Sequence, residues 1–436
     1  MMRRMRVDDL ILVSVDDHVV EPPDMFEQHL PASYLGRDDV PHVVRNEAGD
    51  DVWLYDSRIF PNIGLNAVAG RPRDEFGVDP TSYEEMRPGC WDVDARIGDM
   101  NANGVLGSMN FPSFPRLCGQ VFAEAEDKEL AHTLVQAYND WHVYSWCGKY
   151  PGRFIPLGLL PYWDVELTVA EMRRLKGMGV NAVSFSENPS KLGLPSLHSD
   201  HWDPFWAACE DLEIVPCLHI GSSSTITVTA PDAPFDVTAT LQPMNIVAAA
   251  ADLVWSPVLR KFPKVKITLS EGGVGWLPYF LDKLDLVYRK QSAWTGQDYG
   301  DKLPSDVFKE RIVTCFLDDR VTPEVAERSG TGLMTWECDY PHSDCDWPES
   351  PEVALAGMAG LDDDTINDLT YGNAMRIYQF DPFSHRPKER CTVGALRAEA
   401  AAAGVDTAPR TMRTRAQTLG SKAAVQQDLF TPARSS

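Results

Sequence analysis

The chain has 436 residues, 44% of them apolar, enough to bury one large barrel or two or three smaller domains. Its formal net charge of −24 leaves no basic face for nucleic acid or an anionic membrane, and no run of about 18 apolar residues reads as a membrane span. Nine cysteines, with no framework spacing and no C-x-x-C pair, suit a reducing cytoplasm and argue against a cysteine zinc site. The start, "MMRRMRVDDL", lacks the apolar stretch of a signal peptide, so a cytoplasmic location is expected.

The first predicted strand is "LILVSVDDH" (10–18), which leaves the core carrying Asp16, Asp17 and His18. A long segment follows, about 22–103. Within it "HVVRNEAGDDVWLYDSR" (42–58) reads as two β-runs around a Gly-Asp turn, expected to form a hairpin insertion over a barrel mouth. Seven more strands follow: "GVLGSMNFP" (104–112), "FIPLGLLP" (154–161), "NAVSFS" (181–186), "IVPCLHIG" (214–221), "KVKITLSEGG" (264–273), "RIVTCFLDD" (311–319) and "GLMTWECDYPH" (332–342). Most are short, continuous and β-branched, as in a sheet covered on both faces. Helical patterns lie between them at 164–179, 203–213 (with Asp203 as an N-cap-like residue) and 276–290. Eight strands alternating with helices predict a (β/α)₈ barrel over residues 1–385. The stretch Gly221–Pro243, rich in Ser, Thr and Pro, reads as a long loop. From Arg386 on, nine Lys/Arg against four Asp/Glu reverse the charge, and residues 386–436 are expected to be a mostly disordered tail with one short helix near 394–403.

Barrel active sites sit at the C-terminal ends of strands. There the chain places Asp16 and His18 (strand one), His219 (strand five), Glu271 (strand six) and Asp339 with His342 (strand eight). Alternation puts Asp16 and His18 on one side and Asp17 on the other. Any one of these is an ordinary polar strand end. Their recurrence on four strands points to a divalent metal, Zn, Mn or Fe, at one or two ions per subunit.

Several stretches resemble the amidohydrolase-related (family 2) branch of the amidohydrolase superfamily, the branch of the aminocarboxymuconate semialdehyde decarboxylase-like proteins: "VDDHVVEPPD" (15–24), "LHSDHWDPFWAACEDLEIVPCLHIG" (197–221), "SEGGVGWLPYFLDKLD" (270–285), "CDYPHSDCDWPES" (338–350) and "YGNAMRIYQFDPF" (371–383). The resemblance implies metal ligation by Asp16, His18, His219 and Asp339, with Asp339 also carrying a proton. One departure stands out: the decarboxylases commonly place a histidine at the end of strand six, where this chain has Glu271. Glu271 then serves as general base, as ligand of a second ion, or as an orienting group for His219. His342 gives a proton or binds substrate, or only stabilises a turn. Trp276, Trp336, Trp347 and Phe111 lie near strand ends and are candidates for lining a substrate pocket.

The leading expectation is a hydrolase in which hydroxide formed at the ion attacks a carbonyl-type carbon of an amide, ester, thioester or C–C bond in a small molecule. The alternatives are a non-oxidative decarboxylase of an aromatic or muconate-like acid, and a non-catalytic ligand-binding barrel. No phosphate loop or dinucleotide fingerprint appears, so no nucleotide cofactor is implied. Relatives that form dimers suggest a homodimer.

Overall fold

The computed structural model describes residues 5–78 and 81–412 and the short strand Ala433–Arg434. Eight parallel strands form the barrel: β1 Leu12–Val19, β2 Val105–Pro112, β3 in two pieces (Phe154–Ile155 and Leu157–Gly158), β4 Ala182–Ser186, β5 Val215–His219, β6 Ile267–Ser270, β7 Ile312–Phe316 and β8 Met334–Trp336. Each predicted strand is present. β3 is split at Pro156, which has no N–H to give. Its first piece pairs with β2 and its second with β4. The register then runs from β4 through β8. The barrel closes just past the end of β8, where Asp339 N donates to Asp16 O at 2.8 Å and His18 N donates to Tyr340 O at 2.7 Å.

The strands are buried on both faces, which explains why they read as continuous apolar runs. The helix Val165–Gly177 starts on an Asp164 side chain that accepts from Glu166 N and Leu167 N. The helix expected from 203 spans Asp203–Leu212, but Asp203 is its first residue and not its cap. The helix after β6 runs further than the pattern suggested, Leu277–Thr295.

Three expectations need correction. The insertion supplies three strands (His42–Arg45, Asp51–Tyr55, Arg58–Phe60), one more than a hairpin, to a four-stranded antiparallel sheet completed by Ala433–Arg434, and it ends before the barrel helix Val93–Asn103. The presumed loop after β5 holds a helix, Phe235–Leu241, which leads into Pro243–Trp255. The stretch Phe235–Trp255 is long and apolar enough, by composition, to cross a membrane, yet Ile246, Ala249, Ala250, Leu253 and Val254 face the protein core as a barrel helix does.

The third correction concerns the tail. Residue 386 is not where packing stops. The helix Val393–Ala402 buries Val393, Leu396 and Ala400, and Val393 N donates to Leu10 O at 2.8 Å beside the start of β1. Arg410 N reaches Gly70 O at 2.9 Å. The charge reversal reflects surface ion pairs such as Arg390–Glu399 at 2.5 Å, which coexist with a buried apolar stripe. The rest of the tail, 413–432 and 435–436, lies outside the described residues. Leu396→Ala should therefore destabilise the protein by about 2–5 kcal/mol in chemical denaturation. A change under about 0.5 kcal/mol, the range of an ordinary surface site, would mean the helix does not dock.

A second test uses His142, which is fully buried beside the rings of Tyr138 and Trp141 with neither ring nitrogen hydrogen-bonded. Burial pushes its pKa down to about 3 from 6.5. The unfolded chain binds the extra proton between those values, so stability falls as pH drops below 6.5, by about 1.4 kcal/mol per unit for this group. Taken from pH 7.5 to 5, the wild type should lose about 2 kcal/mol more than His142→Phe, as read by urea melts at both pH values. Equal losses would show that His142 is not held neutral.

Candidate metal centre

Four strand ends deliver the predicted residues to one place. Asp16, His18, His219 and Asp339 are all buried, at 0%, 0%, 2% and 1% exposure. His219 Nε2 lies 3.5 Å from Asp16 Oδ2 and 2.9 Å from Glu271 Oε2. His18 Nε2 lies 3.7 Å from Asp16 Oδ1 and 3.2 Å from Asp339 Oδ1. His342, beyond the strand, stacks on His18 with ring centroids 3.7 Å apart and sets Nδ1 3.0 Å from Asp339 Oδ1. Alternation along β1 holds as expected. Asp17 points away, accepting from Ser14 Oγ, Ser108 Oγ and Tyr340 N.

Supporting contacts orient these groups. His219 Nδ1 lies 2.6 Å from the Ile220 carbonyl, which leaves Nε2 for the centre. Arg96, buried in the helix Val93–Asn103, donates through Nη2 to His18 O and through Nε to Gly89 O, each at 2.5 Å. Phe111 packs beneath, its ring 4.8 Å from His219 and 6.1 Å from His18. Glu271 and Asp339 hold φ of 56° and 58°, a left-handed conformation that costs of order 1 kcal/mol or more for such residues and that clusters at functional sites. The two glycines after Glu271 permit close packing: a Cβ on Gly272 would stand 2.4 Å from Ile246 Cγ2. Glu271 does not cap the following segment. Asp319 does, accepting from Val274 N and Gly275 N.

The electrostatics describe crowded charge. Burial raises Asp16 to about 6, against the pull of His219. Burial also opposes charge on His219, but Asp16 and Glu271 outweigh it and raise its pKa well above the usual imidazole value. His18 is driven well below that value by burial and by His342. Asp339 is held below the ordinary carboxylate range, since His342 and His18 overcome its burial.

Asp16 Oδ1 and Oδ2, His18 Nε2, His219 Nε2 and both Asp339 carboxylate oxygens are buried without a well-formed hydrogen bond. Burying such groups is costly unless something shares their lone pairs. A divalent cation fits that donor set. Ligand atoms of Asp16, His18 and His219 all lie within 4.8 Å of one another, as do those of His18, Asp339 and His342, and those of Glu271, Asp339 and Asp344.

Two cavities open on the centre. The inner one is lined by His219, Glu271, Asp339 and His342, by Leu65, Asn66 and Val78 of the insertion, and by Ile220, Ile226 and Phe235 after β5. The outer one touches Glu271, Trp276, Asp318, Glu337 and Asp339. Trp276 thus lines a cavity as expected. Trp336 and Phe111 do not: Phe111 is fully buried against His18 and His219, and Trp336 is a buried core residue at 1% exposure, on the side of β8 opposite to Glu337. Trp347 also packs elsewhere, donating to Asp99 O with Arg87 over its ring.

Sequence reasoning missed Glu337, which is 2% exposed and accepts from Glu271 N at 3.2 Å. Burial, then Asp16 and Glu271, push its pKa well above the ordinary value. Period-two alternation back from Asp339 would have found it. Asp344, which lines both cavities, carried no such signal.

A closed parallel barrel with acids and imidazoles converging at its C-terminal mouth defines an amidohydrolase-type enzyme. The chain belongs to the amidohydrolase family, whose sequence model matches residues 27–380. That match begins after Asp16 and His18, so these two rest on the geometry above. Among curated proteins, 2-amino-3-carboxymuconate-6-semialdehyde decarboxylase of Dictyostelium discoideum is 25% identical over 70% of this chain and 81% of its own length. Among solved structures, an amidohydrolase from Mycobacterium avium subsp. paratuberculosis K-10 matches with TM-score 0.64 at 19% identity, covering 84% of this chain and 98% of that one. A 5-carboxyvanillate decarboxylase of Novosphingobium aromaticivorans, solved with manganese and 3-methoxy-4-hydroxy-5-nitrobenzoic acid, matches with TM-score 0.58 at 16% identity, covering 86% and 99%. The relatives favour the decarboxylase alternative over the leading hydrolase expectation.

His219→Ala and Asp339→Ala should each abolish stoichiometric metal binding in elemental analysis, while far-ultraviolet circular dichroism stays that of the wild type. Full metal occupancy in either variant would remove that residue from the ligand set.

Proposed function

We propose that this chain is a divalent-metal-dependent carboxy-lyase that releases CO₂ from a small organic acid. The observation that carries this reading is the convergence of Asp16, His18, His219 and Asp339 on an open cavity in a chain whose relatives include named decarboxylases. Asp16, His18, His219 and Asp339 would hold a Zn, Mn or Fe ion, which supplies Lewis acidity and fixed positive charge. The stacked His342 sits against Asp339 at 3.0 Å and lines the inner cavity, so the pair can hold a proton on His342 and pass it to a carbon in that cavity. The apolar wall of Leu65, Val78, Ile220, Ile226 and Phe235 keeps water from competing for that carbon.

One observation favours hydrolysis as a second reading. Glu271, 2.9 Å from His219 Nε2, puts a further carboxylate where a carbanion would develop. A carboxylate there suits proton abstraction from water better than it suits decarboxylation.

Glu271→Gln separates the two. In metal-loaded protein, a lyase should keep or raise its CO₂ release, because a negative charge is removed near the reacting acid. A hydrolase should lose about 10²–10⁴ in turnover of an ester or thioester panel, the scale for losing a general base. Acid or thiol release without CO₂ from a broad panel would overturn the lyase reading.

A further inference from the structure

The inner cavity is uneven in its chemistry. One end is the cluster of His219, Glu271, Asp339 and His342. The rest is Leu65, Val78, Leu117, Ile220, Ile226, Phe235 and Ala239, relieved by the neutral Asn66, Gln242 and Ser343. No lysine or arginine is among the described residues that line it. Arg116, next to Leu117 in the chain, turns to Glu124 at 2.9 Å. Arg73, the one basic residue lining the outer cavity, pairs with Asp346 at 3.0 Å. The other acidic groups among the described lining residues sharpen this: Glu271 and Asp344 line both cavities, and Asp318, Asp319 and Glu337 line the outer one, with burial raising the pKa of Asp319, Glu337 and Asp344, the last to about 7.

A buried carboxylate must meet a cation or several donors, or it costs several kcal/mol. A substrate can satisfy one such group at the metal centre. A second one, placed toward Ile226 and Phe235, would find no lysine or arginine and only the neutral Asn66, Gln242 and Ser343, with the Glu271 carboxylate at the far end. An alkyl or aryl body placed there exchanges water for apolar contact instead. We infer that the substrate is a monoacid whose reacting carboxylate is its only anion and whose remaining body is uncharged and largely apolar; dicarboxylic acids are selected against. This rests on the lyase reading only in placing the reacting carboxylate at the Asp16–His18–His219–Asp339 centre.

Two probes of similar size test it, 3-ethylbenzoate and isophthalate, titrated calorimetrically into manganese-loaded full-length protein at low ionic strength. The expected result is binding of 3-ethylbenzoate at least about tenfold tighter than isophthalate, the discrimination a site shows against a polar group it leaves unpaired. Isophthalate binding as tightly or more tightly overturns the inference, and so does binding of neither at 10 mM, about the weakest affinity worth assigning to a site. Ile226→Arg adds the missing cation and should bring isophthalate level with 3-ethylbenzoate or beyond; an unchanged ratio in folded variant means the apolar wall does not set the preference. Metal-free protein reports on the other reading. If it binds 3-ethylbenzoate as well as the loaded protein does, the carboxylate does not sit at the metal centre and the lyase reading falls, while the selection against a second anion stands on the measured ratio.

Discussion

The seam between the first and last barrel strands decides where the chemistry lies. Asp339 N to Asp16 O and His18 N to Tyr340 O are backbone hydrogen bonds just beyond the last strand, and three of their four residues supply the side chains of the centre. Closure and site assembly are therefore one event. Asp17 reinforces the seam from outside by accepting from Tyr340 N and the hydroxyls of Ser14 and Ser108. Ser14 Oγ accepts from Cys338 N across the same seam. A shift of one residue in β1 would turn Asp16 and His18 away and bring Asp17 inward.

That arrangement carries a cost. Three carboxylates, Asp16, Asp339 and Glu337, and two imidazoles, His18 and His219, lie at 2% exposure or less around one point. Glu271 and Asp339 add left-handed backbone. Burial first, and neighbouring carboxylates after it, raise Asp16 and Glu337, while His342 and His18 hold Asp339 down against its own burial. A divalent cation would satisfy the buried oxygens and imidazole nitrogens that lack hydrogen-bond partners, and that is the physical reason for reading the cluster as a metal centre and not as a hydrogen-bonded core. The rigid surroundings keep the groups converged: Arg96 clamps the His18 carbonyl, Ile220 fixes the His219 tautomer and Phe111 fills the floor.

Much of this was legible in the sequence because strands carry a simple code. Short β-branched runs located the eight strands, and polar residues at their ends located Asp16, His18, His219, Glu271 and Asp339. The same code, applied consistently, would have moved Trp336 to the outer side of β8 and Glu337 to the inner. Proximity to a strand end was wrongly allowed to outweigh alternation there. The docking of Val393, Leu396 and Ala400 was hidden for a different reason: three modest apolar side chains on one turn-spaced face suffice for a helix that packs on a preformed barrel, while composition over 50 residues averages them away. Asp344 was hidden as well, because its approach to Glu271 and Asp339 depends on a loop path that no periodicity specifies.

The barrel supplies the reactive groups, whereas the cavity wall comes from segments outside the repeating pattern. Leu65, Asn66 and Val78 belong to the insertion after β1, and Ile226, Phe235 and Ala239 belong to the connection after β5. This division lets the two vary separately. In this chain both loops contribute apolar and neutral surface, and the acids stay at the strand ends. The strand ends thus carry the reactive groups, and the two connections decide what can lie beside them.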